Sequence, residues 1–364
     1  MSTLTPHQLM LEAVQNATFP AAQLLVAKKG KIYFSKAYGQ ANSHTFFDIA
    51  SLTKAISTAS LCLLAFQENK LSPSTPLKEI FQESTLDVHQ EITLMHLLEH
   101  TSGLPAWQSF YHEFPRSMAG SSEAIVYTLK ACLRTNIIQP VGSKSLYSDI
   151  GFLLLGFALE RVYHKNLAEL FGEKIQTPLK LQNIFFTPFG TRPSALVPPV
   201  PAKAAFAPTQ DCPWRGHIVR GSVDDANAYM LGGVAGHAGL FATAEALHIF
   251  MLQFREVLQH KSSWLKPALL KELFCFERVK NRGDTFLCGW NLPSKRNSSA
   301  GKFFSKHSIG HLGFTGCSVW MDLEKDLWII LLSNRVHPSV NNQKITPFRP
   351  LLHDAVMQEL AAQA

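Results

Sequence analysis

The sequence predicts an α/β chain of the α+β kind: one antiparallel sheet built from the N- and C-terminal segments, flanked by helices, with a mainly helical region inserted between them. Three observations carry this. Residues 22–28 and 32–38 are β-type runs around Lys29-Gly30, a dipeptide suited to a hairpin turn. Residues 317–321 and 327–333 flank Asp322-Leu-Glu-Lys-Asp326 in the same way. Between these hairpins, from Ser51 to about residue 185, the pattern is mostly helical, broken at 72–76, 103–105 and 142–145. Strands supplied by both ends imply one sheet, with the site at the seam where the helical insertion meets it. A single unit is expected over residues 7–360, its sheet part at about 7–50 and 232–360 and its helical and loop part at about 51–231.

In chain order, residues 8–17 carry Leu9, Leu11 and Val14 at roughly helical spacing and predict a first helix. Further helices are expected over 93–99, 122–134 and 150–163. Residues 186–228 are polar and Pro-rich, densest at Pro193 to Pro208, and predict loops that shape a site. Residues 244–258 and 266–276 are helical in pattern, and a closing helix is expected over 351–360, after Pro350.

The 364 residues, 46% hydrophobic, are ample for a sizeable core. The net charge of +7 comes from scattered basic residues; the one cluster, Lys28-Lys-Gly-Lys31, is a hairpin tip. Without an aromatic-interleaved basic stripe, no nucleic-acid partner is predicted. No run reaches 18 apolar residues and no basic segment leads into an apolar one at the N-terminus, so the expectation is a cytoplasmic protein without a membrane span. The six cysteines are far apart, with no Cys-x-x-Cys pair; four sit inside apolar runs and read as small core residues, which fits a reducing compartment. The absence of heptads leaves a monomer as the default.

Chemistry concentrates in three short motifs. In Ser51-Leu-Thr-Lys54, a spacing of three at a helix start puts a hydroxyl and an amine on one face, about a turn apart. The free N–H groups of that helix end favour an anionic oxygen nearby, as acyl transfer requires. For Lys54 to act as a base, burial or neighbouring positive charge must lower its pKa. The other two motifs are Tyr147-Ser-Asp149 and His311-Leu-Gly313. No His-Glu-x-x-His occurs, and His307 and His311 straddle a strand pattern, so no metal is expected. His237, in Gly236-His-Ala-Gly239, reads as structural; no phosphate loop or Gly-x-Ser-x-Gly elbow is present, and no cofactor is predicted.

In order and spacing, these motifs resemble the signature of the serine β-lactamase and penicillin-binding-protein superfamily, nearest to its class C β-lactamase-like hydrolases. His100-Thr-Ser-Gly-Leu-Pro105, the glycine-rich Leu231 to Phe241, and Gly310 to Trp320 with Leu331 to Pro338 extend the resemblance over residues 7–360. It implies a β-lactamase/transpeptidase-like fold, Ser51 as nucleophile, Lys54 as its partner, and Tyr147 as a proton carrier, either Lys54 or Tyr147 being the base. The amides of Ser51 and Phe314 would form the oxyanion hole, with Gly313 leaving room for substrate. Two departures stand out. Asp149 replaces the usual asparagine, so an amide donor becomes an acceptor or a salt-bridge partner of Lys54. His311-Leu312 replaces Lys-Thr, leaving a group cationic only part of the time near pH 7 and no hydroxyl. The expected reaction is hydrolysis through an acyl-Ser51 intermediate, on small esters or on peptides and amides with a D-residue at the scissile bond. The alternatives are a true β-lactamase and a catalytically silent binding protein.

Overall fold

A computed structural model of the chain describes residues 4–82, 91–192, 199, 201–283 and 285–362. Parts of the expected helical stretch (83–90) and of the Pro-rich loop (193–198 and 200) lie outside these residues. The main sheet has seven strands: β1 (Ala21–Lys28), β2 (Lys31–Gly39), β3 (Phe286–Leu287), β4 (Trp290–Asn291), β5 (Ser308–Leu312), β6 (Ser318–Asp322) and β7 (Leu327–Ser333). Their order is β2-β1-β7-β6-β5-β4-β3, antiparallel throughout. The two ends of the chain meet at β1 and β7, where Leu25 faces Ile330.

At its centre both faces of the sheet are covered, which is why β7 reads as an unbroken apolar run instead of an alternating one, whereas the edge strand β2 is largely exposed. On one face Leu24, Val26, Ile329 and Leu331 pack against α1 (Pro6–Gln15) and α5 (Ile345–Ala362). On the other, Leu25, Ala27, Trp328 and Ile330 join the larger core with α2 (Ser60–Gln67), α3 (Asp149–Tyr163) and α4 (Ala244–Leu258). Helix α1 starts two residues earlier than the apolar spacing suggested. Thr5 and Gln8 form a reciprocal capping box and Pro6 occupies the first turn, where no N–H is needed. Helix α5 also starts earlier, with Pro350 inside it, since the apolar face from Ile345 to Leu360 is buried along its length. The stretch 266–276 divides into two short helices, Pro267–Leu273 and Phe276–Arg282.

Sequence periodicity missed a second, three-stranded sheet because its strands are two or three residues long. Phe47–Asp48 and Ile184–Phe186 pair on either side of Leu240–Ala242, tying the segment before Ser51 to the glycine-rich segment. That segment also lies directly on α3. A Cβ on Gly236 would sit 2.0 Å from the Phe152 carbonyl oxygen, and one on Gly156 3.0 Å from Gly236 backbone. Two backbones in such contact leave no room for a methyl group, and neither can move without shifting the site. Gly236→Ala is therefore expected to destabilise the protein by roughly 3 kcal/mol or more, read as a fall in the denaturation midpoint.

Candidate active site

Ser51 is presented by a strained turn. Ala50 adopts φ +48°, an unfavourable region for a residue with a side chain, and its N–H donates to the buried Asp48 Oδ1 at 2.8 Å. Thr315 Oγ1 donates to the Asp48 carbonyl at 2.7 Å, joining this turn to the end of β5. After Ser51 the helix opens into a wider π-type turn over Lys54–Ala59 before α2 begins. Ser60 Oγ, donating to the Ala55 carbonyl at 3.1 Å, supports the widened ladder, and Thr58 Oγ1 anchors it to the Gly236 carbonyl at 2.6 Å. Such turns recur at functional sites.

Lys54 is fully buried. Its Nζ donates to Ser51 Oγ at 2.8 Å and to the His237 carbonyl at 3.2 Å, and lies 2.7 Å from Asp149 Oδ1. The last contact is close yet poorly aligned as a hydrogen bond, so we describe it as an ion pair. The sequence led us to expect a depressed lysine pKa; the structure gives the opposite. Burial opposes the ammonium, but the Asp149 carboxylate and then the Tyr147 phenol outweigh it, and the pKa stands above the ordinary lysine value. Tyr147, 4.8 Å from Lys54 Nζ to ring centroid, is pushed up by burial, which Lys54 offsets only in part. The resting pair is thus an ammonium and a neutral phenol.

The His100-Thr-Ser-Gly-Leu-Pro105 turn fixes the second motif. Ser148 N–H donates to His100 Nδ1 at 2.9 Å, and Ser148 Oγ donates to the Pro105 carbonyl at 2.7 Å. Asp149 N–H donates to the Ala106 carbonyl at 2.8 Å, closing a backbone bridge between this turn and the start of α3. His100 is buried and stacks on Tyr147 at 4.7 Å between ring centroids. Burial, reinforced by Lys54 and His311, holds its pKa well below the usual histidine range. Sequence reading placed this histidine only in a turn; nothing in its spacing reveals that it seats Tyr147.

The third motif lies at the end of β5, where one expectation needs correction. His311 is not partly cationic near neutrality. Burial, with Lys54 adding to it, pushes its pKa down to about 3, and Nδ1 donates to the Leu312 carbonyl at 2.9 Å. The ring is a neutral acceptor at Nε2, which has no protein partner. Gly313 lines the cleft, and a Cβ there would lie 2.6 Å from the Ile49 carbonyl oxygen, so glycine also lets the Ser51 turn pack against the strand end. Arg349 Nη2 donates to the Gly313 and Cys317 carbonyls, both at 3.1 Å, and fixes the turn carrying Phe314.

Two further residues enter the site from segments without periodic signal. Asp225 caps a short helix, Ala226–Met230, and its Oδ1 accepts from His237 Nε2 at 2.8 Å. The metal-ligating atoms of Asp149, Asp225 and His237 lie within 4.8 Å of one another. Asp149 is already paired with Lys54, and Asp225 accepts a hydrogen bond from His237, so both carboxylates have partners inside the protein. All three residues line a cleft of about 1030 Å³, together with Ser51, Tyr147 and His311.

The beta-lactamase family model matches residues 7–352. The chain belongs to the beta-lactamase family. It is 27% identical to N-acetylmuramyl-L-alanine amidase of Bacillus subtilis (strain 168) over 373 residues, covering 93% of this chain and 82% of the relative. A putative D-alanyl-D-alanine carboxypeptidase of Escherichia coli O157:H7 is also 27% identical, over 91% of this chain and 82% of its own. Among solved structures, EstCE1, a hydrolase with promiscuous acyltransferase activity, superposes with a TM-score of 0.71 at 19% identity, covering 97% of each chain. The octameric penicillin-binding protein homologue from Pyrococcus abyssi gives a TM-score of 0.70 at 17% identity, covering 98% of this chain and 77% of its own. The chain is accordingly a serine hydrolase of β-lactamase/transpeptidase-like fold. Among the described residues, no helix is long and apolar enough to cross a membrane.

The turn before Ser51 gives the family fold a measurable pH dependence. Burial, with Asp224 adding to it, raises the Asp48 pKa to about 7. An acid whose folded pKa lies above its unfolded value stabilises the fold most while protonated. That contribution is lost as pH rises from about 4 to 7, amounting to something on the order of 4 kcal/mol. Asp48→Asn is expected to flatten the pH dependence of unfolding free energy across that window, measured by denaturant titration.

Proposed function

We propose that Ser51 attacks a substrate carbonyl and forms an acyl-enzyme, which water then hydrolyses. The observation that carries this reading is the continuous contact from Ser51 Oγ to Lys54 Nζ, 2.8 Å, and on to Asp149 Oδ1, 2.7 Å, at the floor of the cleft. Because Lys54 starts as an ammonium, it acts as a relay: it passes a proton to Asp149 while taking the one leaving Ser51 Oγ. Bond angles in such contacts tighten when substrate binds. As the tetrahedral intermediate collapses, Tyr147 hands a proton to the departing group and is reprotonated from Lys54, leaving acyl-Ser51. Deacylation runs the same transfers in reverse, with water in place of the leaving group. The Ser51 and Phe314 amides, which make no hydrogen bond to another described residue, are the oxyanion donors.

For substrate we infer peptides or amides with a D-residue at the scissile bond, as cell-wall fragments carry, with small esters as simpler alternatives. The names of the two curated relatives, an N-acetylmuramyl-L-alanine amidase and a D-alanyl-D-alanine carboxypeptidase, support the peptide reading. Six free cysteines, five of them buried, fit the expected reducing, cytoplasmic setting. A monomer is the simplest assembly, to be weighed against the octameric homologue.

Ser51→Ala is expected to abolish both hydrolysis and covalent labelling by a fluorophosphonate, followed by intact-mass spectrometry. Full hydrolytic activity in that variant would sink the proposal. Asp149→Asn is expected to lower kcat by roughly a hundredfold. Because Asp149 is the chief group raising the Lys54 pKa, the same variant should move the lysine ionisation to lower pH in the pH dependence of labelling.

A further inference from the structure

The catalytic groups occupy only the floor of the cleft. Its volume of about 1030 Å³ lies at the upper limit of the roughly 300–1,000 Å³ that encloses a drug-sized ligand, more than one scissile dipeptide needs. One wall is aromatic. Trp107 is 47% exposed, its ring centroid 6.3 Å from Tyr111, and Tyr111 meets Trp214 edge to face at 4.9 Å.

This wall is built on pinned backbone. Trp107 follows Ala106, whose carbonyl holds the Asp149 N–H. Tyr111 N–H donates to Asn227 Oδ1 at 3.0 Å, and Asn227 Nδ2 donates to the Gln108 carbonyl at 2.8 Å. Arg116 Nη1 donates to the Trp214 carbonyl at 3.0 Å, joining the two loops that carry the rings. The aromatic wall is therefore held in register with the catalytic centre.

Its surroundings are polar. Gln210 and Asp224 line the same cleft, joined by a 3.1 Å hydrogen bond, and Asn291 brings into it a buried side-chain oxygen without a protein partner. The exposed Trp107 ring and the half-buried rings of Tyr111 and Trp214, in a cleft that also holds neutral amides and a carboxylate, suit a ligand with C–H faces and hydroxyl edges: ring faces carry partial negative charge that attracts polarised C–H groups, and the amides exchange hydrogen bonds with hydroxyls. A purely apolar acyl chain would leave those polar groups unpaired.

We propose that Trp107, Tyr111 and Trp214 form a platform for a sugar ring, so that this hydrolase takes its peptide with the saccharide still attached. The inference rests on the peptide reading above and goes further by naming what fills the rest of the cleft.

The test separates binding from turnover. In the Ser51→Ala background, calorimetry would compare N-acetylmuramyl-L-alanyl-D-isoglutamine, L-alanyl-D-isoglutamine and its N-benzoyl derivative. The sugar-bearing ligand is expected to bind about tenfold tighter than either of the others. Trp107→Leu should erase that advantage and Trp107→Tyr should keep most of it, with thermal melts checking that both variants are folded. Equal affinity for all three ligands, a benzoyl group as good as the sugar, or equal losses for all three in Trp107→Leu would overturn the platform. If the sugar advantage holds but wild-type enzyme cleaves none of these peptides or their longer homologues, the platform stands and the peptide-hydrolase reading fails. If wild-type enzyme cleaves peptides with and without sugar at equal kcat/KM, the reading stands and the platform fails.

Discussion

A buried ammonium organises this molecule. Lys54 has no access to solvent, and an isolated charge in such a position costs several kcal/mol or sheds its proton. Here it keeps the proton because the Asp149 carboxylate lies 2.7 Å away and two oxygens, Ser51 Oγ and the His237 carbonyl, accept from it. Each of those partners comes from a different segment. Ser51 precedes the π-type turn, Asp149 starts α3, and His237 belongs to the glycine-rich segment. Satisfying one charge therefore locks three parts of the chain together, and the same locking sets Ser51 Oγ against Lys54.

Such convergence demands backbones closer than side chains permit, which explains the glycines. Gly236 sits where any Cβ would strike the Phe152 carbonyl, and Gly313 where it would strike that of Ile49. The first contact brings the His237 carbonyl to Lys54, and the second sets the Ser51 turn against the end of β5. The small sheet of Phe47–Asp48, Leu240–Ala242 and Ile184–Phe186 braces the same junction from behind. Strain at Ala50 persists because Asp48 holds its N–H and Thr315 holds the Asp48 carbonyl.

The sheet and its helices were legible in the sequence because β1, β2, β6 and β7 are long, apolar and bounded by clear turns. The pairs at β3 and β4 and the whole small sheet were not, since two or three residues cannot display a period. Motif residues could be named from their spacing, but their protonation could not. Lys54 is raised where a lowered value was expected because Asp149 and Tyr147 together outweigh burial, and His311 is neutral because burial and Lys54 act together. Both outcomes depend on distances between residues far apart in the chain. Asp225 and Trp107 escaped notice for a related reason, lying in stretches whose only sequence signature is irregularity.

The opposite side of the cleft solves a different electrostatic problem. Arg335 and Arg349 are both buried, 4% and 7% exposed, yet neither makes an ion pair among the described residues. Burial pushes the Arg349 pKa down to about 10, with Arg335 adding to the effect, so holding the charge there is costly. Each holds carbonyls: Arg335 those of Phe314, Val340 and Asn342, and Arg349, through Nη2, those of Gly313 and Cys317. The immediate result is a rigid turn around Phe314. The second result is electrostatic: two buried guanidinium groups lie beside that turn, the Arg335 charge offset in part by the Asp224 carboxylate. A lysine on β5 would place positive charge on the strand; with His311 neutral and Leu312 apolar, the positive charge beside this strand end comes from Arg335, just past β7, and from Arg349 on α5.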